Sequence, residues 1–98
     1  TSPAATPTAA PPVVLANHQG VVTGLAFSPD SRLLASSSTD WSIRLWNVDD
    51  GQQVAMLTDY AGRFWNVAFS PDGRLLASVS DDGILRLWGV PATEAKAP

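Results

Sequence analysis

Cysteine is absent from this 98-residue chain, and histidine, tyrosine and methionine occur once each. Without cysteine there is no disulfide framework, no thiol nucleophile and no thiolate metal site. His18 is the only imidazole, and no residue near it in the sequence completes a metal site. The seven glycines form neither a G-x-G-x-x-G fingerprint nor a P-loop. We therefore expect no metal and no other cofactor.

Basic residues are also scarce. Six Lys and Arg stand against nine Asp and Glu, which gives a formal net charge of -3. Such a chain has no basic field to hold phosphate backbones, so we expect no nucleic-acid partner. No apolar run approaches the roughly 18 residues that span a bilayer, so we expect no membrane partner either. The lack of cysteine fits a reducing compartment, and we expect a cytoplasmic location.

The two ends of the chain have little pattern. Residues 1–12, TSPAATPTAAPP, contain only Ala, Pro, Thr and Ser and are typical of an extended linker. Residues 91–98, PATEAKAP, are similar in composition and are interpreted as a tail. The patterned part of the chain is therefore 13–90.

This patterned part is a tandem repeat. When residues 15–48 are placed over 57–90, an offset of 42, 18 of the 34 positions are identical. The best-matched block is AFSPDSRLLASSSTD (26–40) against AFSPDGRLLASVSDD (68–82). A fixed period of this size indicates a duplicated structural unit, with copies at about 13–56 and 57–90.

Each copy has a β pattern throughout. Runs of five or six residues rich in Val, Leu, Ile and Phe alternate with turn residues such as Ser-Pro-Asp and Asp-Asp-Gly. The pattern predicts an all-β fold with eight strands in two four-stranded antiparallel sheets, and no helix. The predicted strands are 12–16, 22–27, 33–38, 42–47, 53–57, 64–69, 75–80 and 84–88.

The period, the Phe-Ser-Pro-Asp block and the closing Leu-Trp resemble the WD-repeat β-propeller family between the two tails. The Gly-His that usually starts a repeat is Asn-His at 17–18 and Asp-Tyr at 59–60. The closing Trp-Asp is Trp-Asn at 46–47 and Trp-Gly at 88–89. The resemblance implies that each repeat contributes one propeller blade.

The resemblance also implies a structural hydrogen-bond network. In the family, a turn Asp bonds the His, the His bonds a strand Ser, and the Ser bonds the Trp indole N–H. The matching residues in the first repeat are Asp40, His18, Ser38 and Trp46, and a partial second copy consists of Asp82, Ser80 and Trp88. A serine hydrolase that uses Ser38 is the alternative, but it would need an exposed nucleophile elbow and oxyanion donors, and the sequence has neither.

Two further tryptophans point to a binding surface. Trp41 takes the place of Gly83 in a turn that favours positive φ, and Trp65 takes the place of Thr23. The resemblance puts both on the top rim of the propeller, where partners of the family bind, and Trp and Arg are common hot-spot residues. The alternative is that both rings pack on a neighbouring loop or blade. The candidate binding residues are Trp41, Trp65, Arg63, Thr23, Gln19, Thr39 and Asp81.

We therefore expect a non-enzymatic interaction scaffold that binds a protein or peptide through its top-rim loops. The alternative function is a sensor or regulatory segment of a larger signalling protein, for example one with a kinase or ATPase domain. Two blades leave open apolar faces, so the ring must be closed by other copies or by further repeats. Closure by copies predicts a homo-oligomer of three or four chains.

Overall fold

The computed structural model describes residues 14–58 and 62–91. These residues form seven strands and no helix, and hence no helix long and apolar enough to cross a membrane. The strands are β1 (Val22–Phe27), β2 (Leu33–Ser38), β3 (Ile43–Asn47), β4 (Gln53–Leu57), β5 (Phe64–Phe69), β6 (Leu75–Ser80) and β7 (Leu85–Gly89). They make two antiparallel sheets with the strand orders β1-β2-β3-β4 and β5-β6-β7.

The prediction of an all-β fold of two antiparallel sheets is confirmed, with four strands in the first sheet and three in the second among the described residues. Residues 14–16, the described part of the strand predicted at 12–16, are not in a strand, and 12–13 lie outside the described residues. The strand at 53–57 belongs to the first sheet, because a short turn through Gly51 folds it back on β3. The second sheet therefore has three strands among the described residues. The first sheet therefore begins with β1, one strand later than the first copy of the sequence repeat, and it ends with β4.

The turns between the first two strands of each sheet follow from the Ser-Pro-Asp block. Ser28 Oγ donates to Asp30 Oδ1 over 2.6 Å and accepts from the Leu33 backbone N–H over 3.0 Å. The turn brings Ser31 to a φ of 63°, and the equivalent Gly73 has a φ of 75°. Ser31 therefore adopts a left-handed conformation that glycine reaches without steric cost.

The core lies between the two sheets. Alternate residues of a strand point to opposite faces, so each sheet offers one face to the other and one face outward. The central residues of the facing sides are at most 5% exposed, and they are Ala35, Ile43, Leu45, Phe64, Val67 and Leu76. Strands β1 and β5 come closest, and the Thr23 hydroxyl donates to the Phe64 carbonyl over 2.7 Å between them.

Phe64 is the largest fully buried side chain and occupies the centre of this interface. We expect Phe64→Ala to lower the free energy of unfolding by about 3–5 kcal/mol, because it removes a buried ring and leaves a cavity. Phe64→Leu keeps most of the volume and should cost less than about 1.5 kcal/mol. Urea denaturation at one fixed protein concentration measures both variants. Equal and small losses would mean that the two sheets do not depend on this contact.

Candidate functional site: the loop rim and the hydrogen bonds that hold it

The loop before β1 is held on the first sheet by His18. The His18 Nδ1 lies 2.9 Å from Asp40 Oδ2, and its Nε2 lies 2.6 Å from Ser36 Oγ. The Trp46 indole N–H donates to the same Ser36 oxygen over 2.9 Å. The side chains of His18 and Asp40 are only 6% and 9% exposed. These contacts satisfy polar groups that burial would otherwise leave unpaired.

The serine in this network is Ser36, so the prediction of Ser38 is wrong. Trp46 pairs with Leu34 across the β2–β3 ladder. Ser36 is the diagonal neighbour of Trp46 on the same face, within reach of the indole, whereas Ser38 lies two residues further along the strand. The Ser38 hydroxyl instead accepts from the Asp40 backbone N–H over 3.1 Å.

The same correction applies to the second sheet. The Trp88 indole N–H donates to Ser78 Oγ over 2.9 Å, and not to the predicted Ser80. Ser80 Oγ donates to Asp82 Oδ1 over 2.7 Å. The reason is again the register, since Trp88 pairs with Leu76 and Ser78 is its diagonal neighbour.

Asp40 is the hub of the first network. Its carboxylate accepts from the Gln19 backbone N–H over 2.9 Å and from the Ser42 hydroxyl over 2.5 Å, in addition to its contact with His18. Burial opposes ionisation of Asp40, but the hydrogen bonds from Ser42, Gln19 and His18 outweigh it and hold the pKa of the carboxyl well below its usual value. Ser42 was not among the predicted site residues. The Asp-x-Ser spacing of an Asx turn was the signal that could have identified it.

The second sheet satisfies the equivalent carboxylate in another way. Asp82 accepts from both terminal nitrogens of Arg86, over 3.2 and 2.7 Å, and from the Ile84 backbone N–H over 3.1 Å. The hydrogen bonds from Arg86, Ser80 and Ile84 hold the pKa of Asp82 well below its usual value. Tyr60, which takes the sequence position of His18, lies outside the described residues. Arg86, which the sequence did not single out, supplies a cation to the carboxylate here.

A second cluster lies on the rim beside this carboxylate and joins three of the predicted binding residues. Asp81 Oδ1 accepts from the Trp65 indole N–H over 2.6 Å, and Asp81 Oδ2 accepts from Arg63 Nε over 2.9 Å. The Arg63 guanidinium carbon is 5.2 Å from the centre of the Trp65 ring. The hydrogen bonds from Arg63 and Trp65 lower the pKa of Asp81. The cluster is largely open to solvent, with Trp65 43% exposed.

Trp41 stands in the turn between β2 and β3. Its φ is 73°, and the equivalent Gly83 has a φ of 76°, which confirms the predicted left-handed turn. The residue is 46% exposed. The sheet thus carries a bulky side chain in a conformation that costs an ordinary residue about 1–2 kcal/mol.

The other three candidate binding residues have different environments. Gln19 is exposed and donates only its backbone N–H to Asp40. Thr39 is half-buried, and its hydroxyl accepts from the Val21 backbone N–H over 3.0 Å. Thr23 is half-buried between the sheets, where its hydroxyl is engaged by the Phe64 carbonyl. Gln19 therefore lies on the rim surface, whereas Thr23 belongs to the contact between the sheets.

Comparison of the sequence with family models identifies the family of this chain. The model "WD domain, G-beta repeat" matches residues 10–47 and 51–89, which is most of the chain. The chain belongs to the WD40 family.

Other WD40 proteins match over single stretches of this chain. "COMPASS component SWD1" of Saccharomyces cerevisiae is 48% identical over 42 residues, which are 43% of this chain and 10% of that protein. "WD repeat-containing protein 82" of Drosophila melanogaster is 40% identical over 47 residues, or 47% of this chain and 15% of that protein. The "SAGA complex/transcription factor TFIID complex subunit Taf5" of Schizosaccharomyces pombe is 54% identical over 37 residues, which are 38% of this chain and 6% of that protein. The chain thus spans a small part of these relatives.

Solved WD40 structures share the arrangement of the two sheets. The "Crystal structure of RRP9 WD40 repeats" superposes with a TM-score of 0.75 at 28% sequence identity, and the match covers 79% of this chain and 25% of that one. The two sheets therefore correspond to neighbouring blades of a WD40 propeller.

Within the described residues, no three His, Asp or Glu side chains form a group that could hold a metal ion.

The first WD40 network should contribute measurably to stability. We expect His18→Ala or Ser36→Ala to lower the free energy of unfolding by about 1–3 kcal/mol, because each leaves a buried polar partner without its hydrogen bond. Gln19→Ala, an exposed neighbour, should stay within about 0.5 kcal/mol of the parent. Denaturant unfolding of the three variants checks this. A Ser36→Ala variant as stable as Gln19→Ala would remove Ser36 from the network.

Acid should destabilise the folded chain through Asp40. Its native pKa is lowered, so its contribution to stability is complete above the unfolded pKa near 4 and is lost as the pH falls from there toward the native pKa. Asp40→Asn removes the titration, and the variant should lose less stability between about pH 5 and pH 2 than the parent does. Unfolding midpoints across this range measure the difference. Parallel pH profiles would show that Asp40 does not carry the effect.

Proposed function

We propose that the chain is a non-catalytic interaction scaffold that binds a protein or peptide through its top-rim loops. These loops are 17–23, 39–42, 59–65 and 81–84, of which 59–61 lie outside the described residues. The observation that carries the proposal is Trp41, a large aromatic side chain kept half-exposed in a left-handed turn.

Trp41 keeps its left-handed conformation although the residue is 46% exposed. The second repeat has Gly83 at the same place and needs no side chain there for its turn. A partner that covers the indole would supply the burial that offsets the strain, which is the behaviour of a hot-spot residue.

The Arg63–Trp65–Asp81 cluster supports a second anchor on the same rim. Asp81 fixes the Trp65 indole at 2.6 Å, and the guanidinium group of Arg63 stacks near its face. A side chain that is ordered before binding loses less conformational entropy when a partner covers it. Trp and Arg are also the residue types enriched among binding hot spots. The cluster therefore offers an aromatic surface that is already in position.

The relatives and the buried serine support a scaffold in preference to an enzyme. Two relatives are named as parts of assemblies, the COMPASS component and the SAGA and TFIID subunit. Asp40, His18 and Ser36 do stand in the order of a hydrolase triad. However, Ser36 is 3% exposed and its oxygen accepts the Trp46 N–H. A nucleophile must reach its substrate, and this hydroxyl does not meet solvent.

The test is affinity capture with the parent chain and variants, followed by titration of any captured protein. Trp41→Gly and Trp65→Ala should each weaken binding by at least about 2 kcal/mol, or roughly 30-fold. Asp49→Ala and Asp50→Ala, in the β3–β4 turn at the other end of the sheet, are the matched controls and should bind like the parent. Trp41→Gly should also raise stability by about 0.5–1 kcal/mol, because glycine relieves the turn.

Two results would contradict the proposal. In the first, both tryptophan variants retain every partner with the affinity of the parent chain. In the second, either substitution unfolds the chain, which circular dichroism would detect. The rings would then be structural, and the rim would lose its anchors.

A further inference from the structure

The rim of the second repeat differs from that of the first by a charged and aromatic cluster. By the 42-residue offset, a valine and two threonines are replaced by a cation, an indole and a carboxylate: Val21 by Arg63, Thr23 by Trp65 and Thr39 by Asp81. The three new side chains contact one another. The three substitutions therefore create a single surface feature, which the first repeat does not have.

The attachment of the loop does not require this cluster. In the first repeat, Thr39 Oγ1 accepts from the Val21 backbone N–H over 3.0 Å. In the second repeat, Asp81 Oδ2 accepts from the Arg63 backbone N–H over 3.2 Å. Because a neutral hydroxyl makes this contact in one repeat, the charge of the carboxylate in the other is not needed to hold the loop. The cluster therefore has a purpose other than the turn itself.

Trp65 and Asp81 together form a receptor for a planar cation. The Arg63 guanidinium carbon lies 5.2 Å from the centre of the Trp65 ring, within the range of cation–π attraction. Its Nε donates to Asp81 Oδ2 over 2.9 Å. Asp81 Oδ1 accepts the indole N–H over 2.6 Å, so the ring and the carboxylate keep a fixed relation. A guanidinium group can stack on the ring and bond the carboxylate at the same time, and Arg63 already does so.

Arg63 is a weakly held occupant of this receptor. Its side chain is 52% exposed, and that of Asp81 is 35% exposed. An ion pair between exposed groups contributes little to stability, because water screens the charges and ordering two side chains costs entropy. A guanidinium group from another molecule can therefore take over the contacts of Arg63 at small cost to the fold.

The charges favour a cationic ligand over an anionic one. The hydrogen bonds from Arg63 and Trp65 lower the pKa of Asp81, so this group is a carboxylate at neutral pH. The whole chain has a formal net charge of -3. When Arg63 leaves the pair, the negative charge beside the Trp65 ring is uncompensated. It then attracts a second cation and repels an anion.

We propose that Trp65 and Asp81 bind an arginine side chain of the partner, and that Arg63 occupies this site until the partner displaces it. The proposal rests on the proposed function, because it names the chemical group that one anchor of the rim receives. The partner is then a protein or peptide with an exposed arginine. Arg63 is a competitor that belongs to the rim itself, and it lowers the apparent affinity of the free chain.

The test is a titration of the full chain with Nα-acetyl-arginine amide, followed by NMR of the four tryptophan indole N–H signals. The Trp65 signal, assigned by its loss in Trp65→Phe, should move as the ligand is added. Nα-acetyl-citrulline amide has nearly the same shape but no charge, and it should bind at least about threefold more weakly. Nα-acetyl-glutamate amide should leave the signal where it is.

Arg63→Ala distinguishes a competitor from a supporting residue. The substitution vacates the site, so the dissociation constant for Nα-acetyl-arginine amide should fall by roughly two- to fivefold. Asp81→Thr introduces the residue of the first repeat, which can still accept the Arg63 backbone N–H, and it should weaken binding at least about threefold. Asp50→Ala removes a carboxylate at the other end of the first sheet and should leave the dissociation constant unchanged.

Several outcomes would overturn the proposal. One is an Arg63→Ala variant that binds the arginine amide no more tightly than the parent chain does. Another is equal binding of the arginine and citrulline amides, and a third is a response to the glutamate amide alone. An Arg63→Ala variant that is unfolded by circular dichroism would also overturn it, because the fold would then require Arg63. These comparisons decide the matter even if Asp81→Thr does not fold.

This test is separate from the capture experiment on the rim. A chain that captures a protein through Trp41 but binds the arginine amide no better than the citrulline amide retains the scaffold function and loses this site. A chain that binds the arginine amide selectively but captures no protein shows the reverse.

Discussion

The contact between two apolar sheet faces around Phe64 is the constraint on which the rest of this structure depends. A WD40 blade is apolar on both sides, so no single sheet of this chain can bury its own hydrophobic residues. The first sheet covers one face of the second, and the 0% exposure of Phe64 and Leu45 shows how complete that cover is. The rim loops are held in place because the strands that carry them are packed in this way.

The carboxylates that hold the rim loops have different partners in the two repeats. The carboxylates of Asp40 and Asp82 occupy equivalent positions, and both have lowered pKa values. Asp40 is satisfied inside the fold by His18 and Ser42, whereas Asp82 pairs with Arg86 at the surface. A surface pair is screened by solvent and contributes little to stability. The first repeat therefore holds its loop by buried hydrogen bonds that the second repeat does not reproduce with the same residues.

Much of the fold could be predicted from the sequence, because local signals determine it. Alternating apolar residues and the Ser-Pro-Asp turns place seven strands to within one residue of their observed ends. The choice between Ser36 and Ser38 was not predictable in this way, since both lie on one face of β2 and only the register with Trp46 separates them. Nor does sequence spacing show that Asp81 bonds both Arg63 and Trp65, because these residues precede it by 18 and 16 positions. The left-handed turn at Trp41 was predictable, since the repeat itself supplies Gly83 for comparison.

The rim and the contact between the two sheets are linked through one repeat position. Trp65 belongs to the rim cluster, yet by the repeat offset it takes the place of Thr23, whose hydroxyl reaches the neighbouring sheet. In the first repeat this position joins the two sheets, because the Thr23 hydroxyl bonds the Phe64 carbonyl. In the second repeat the larger Trp65 is held at the rim instead, because Asp81 accepts its indole N–H over 2.6 Å. One repeat position therefore contributes to packing in the first sheet and to the rim surface in the second.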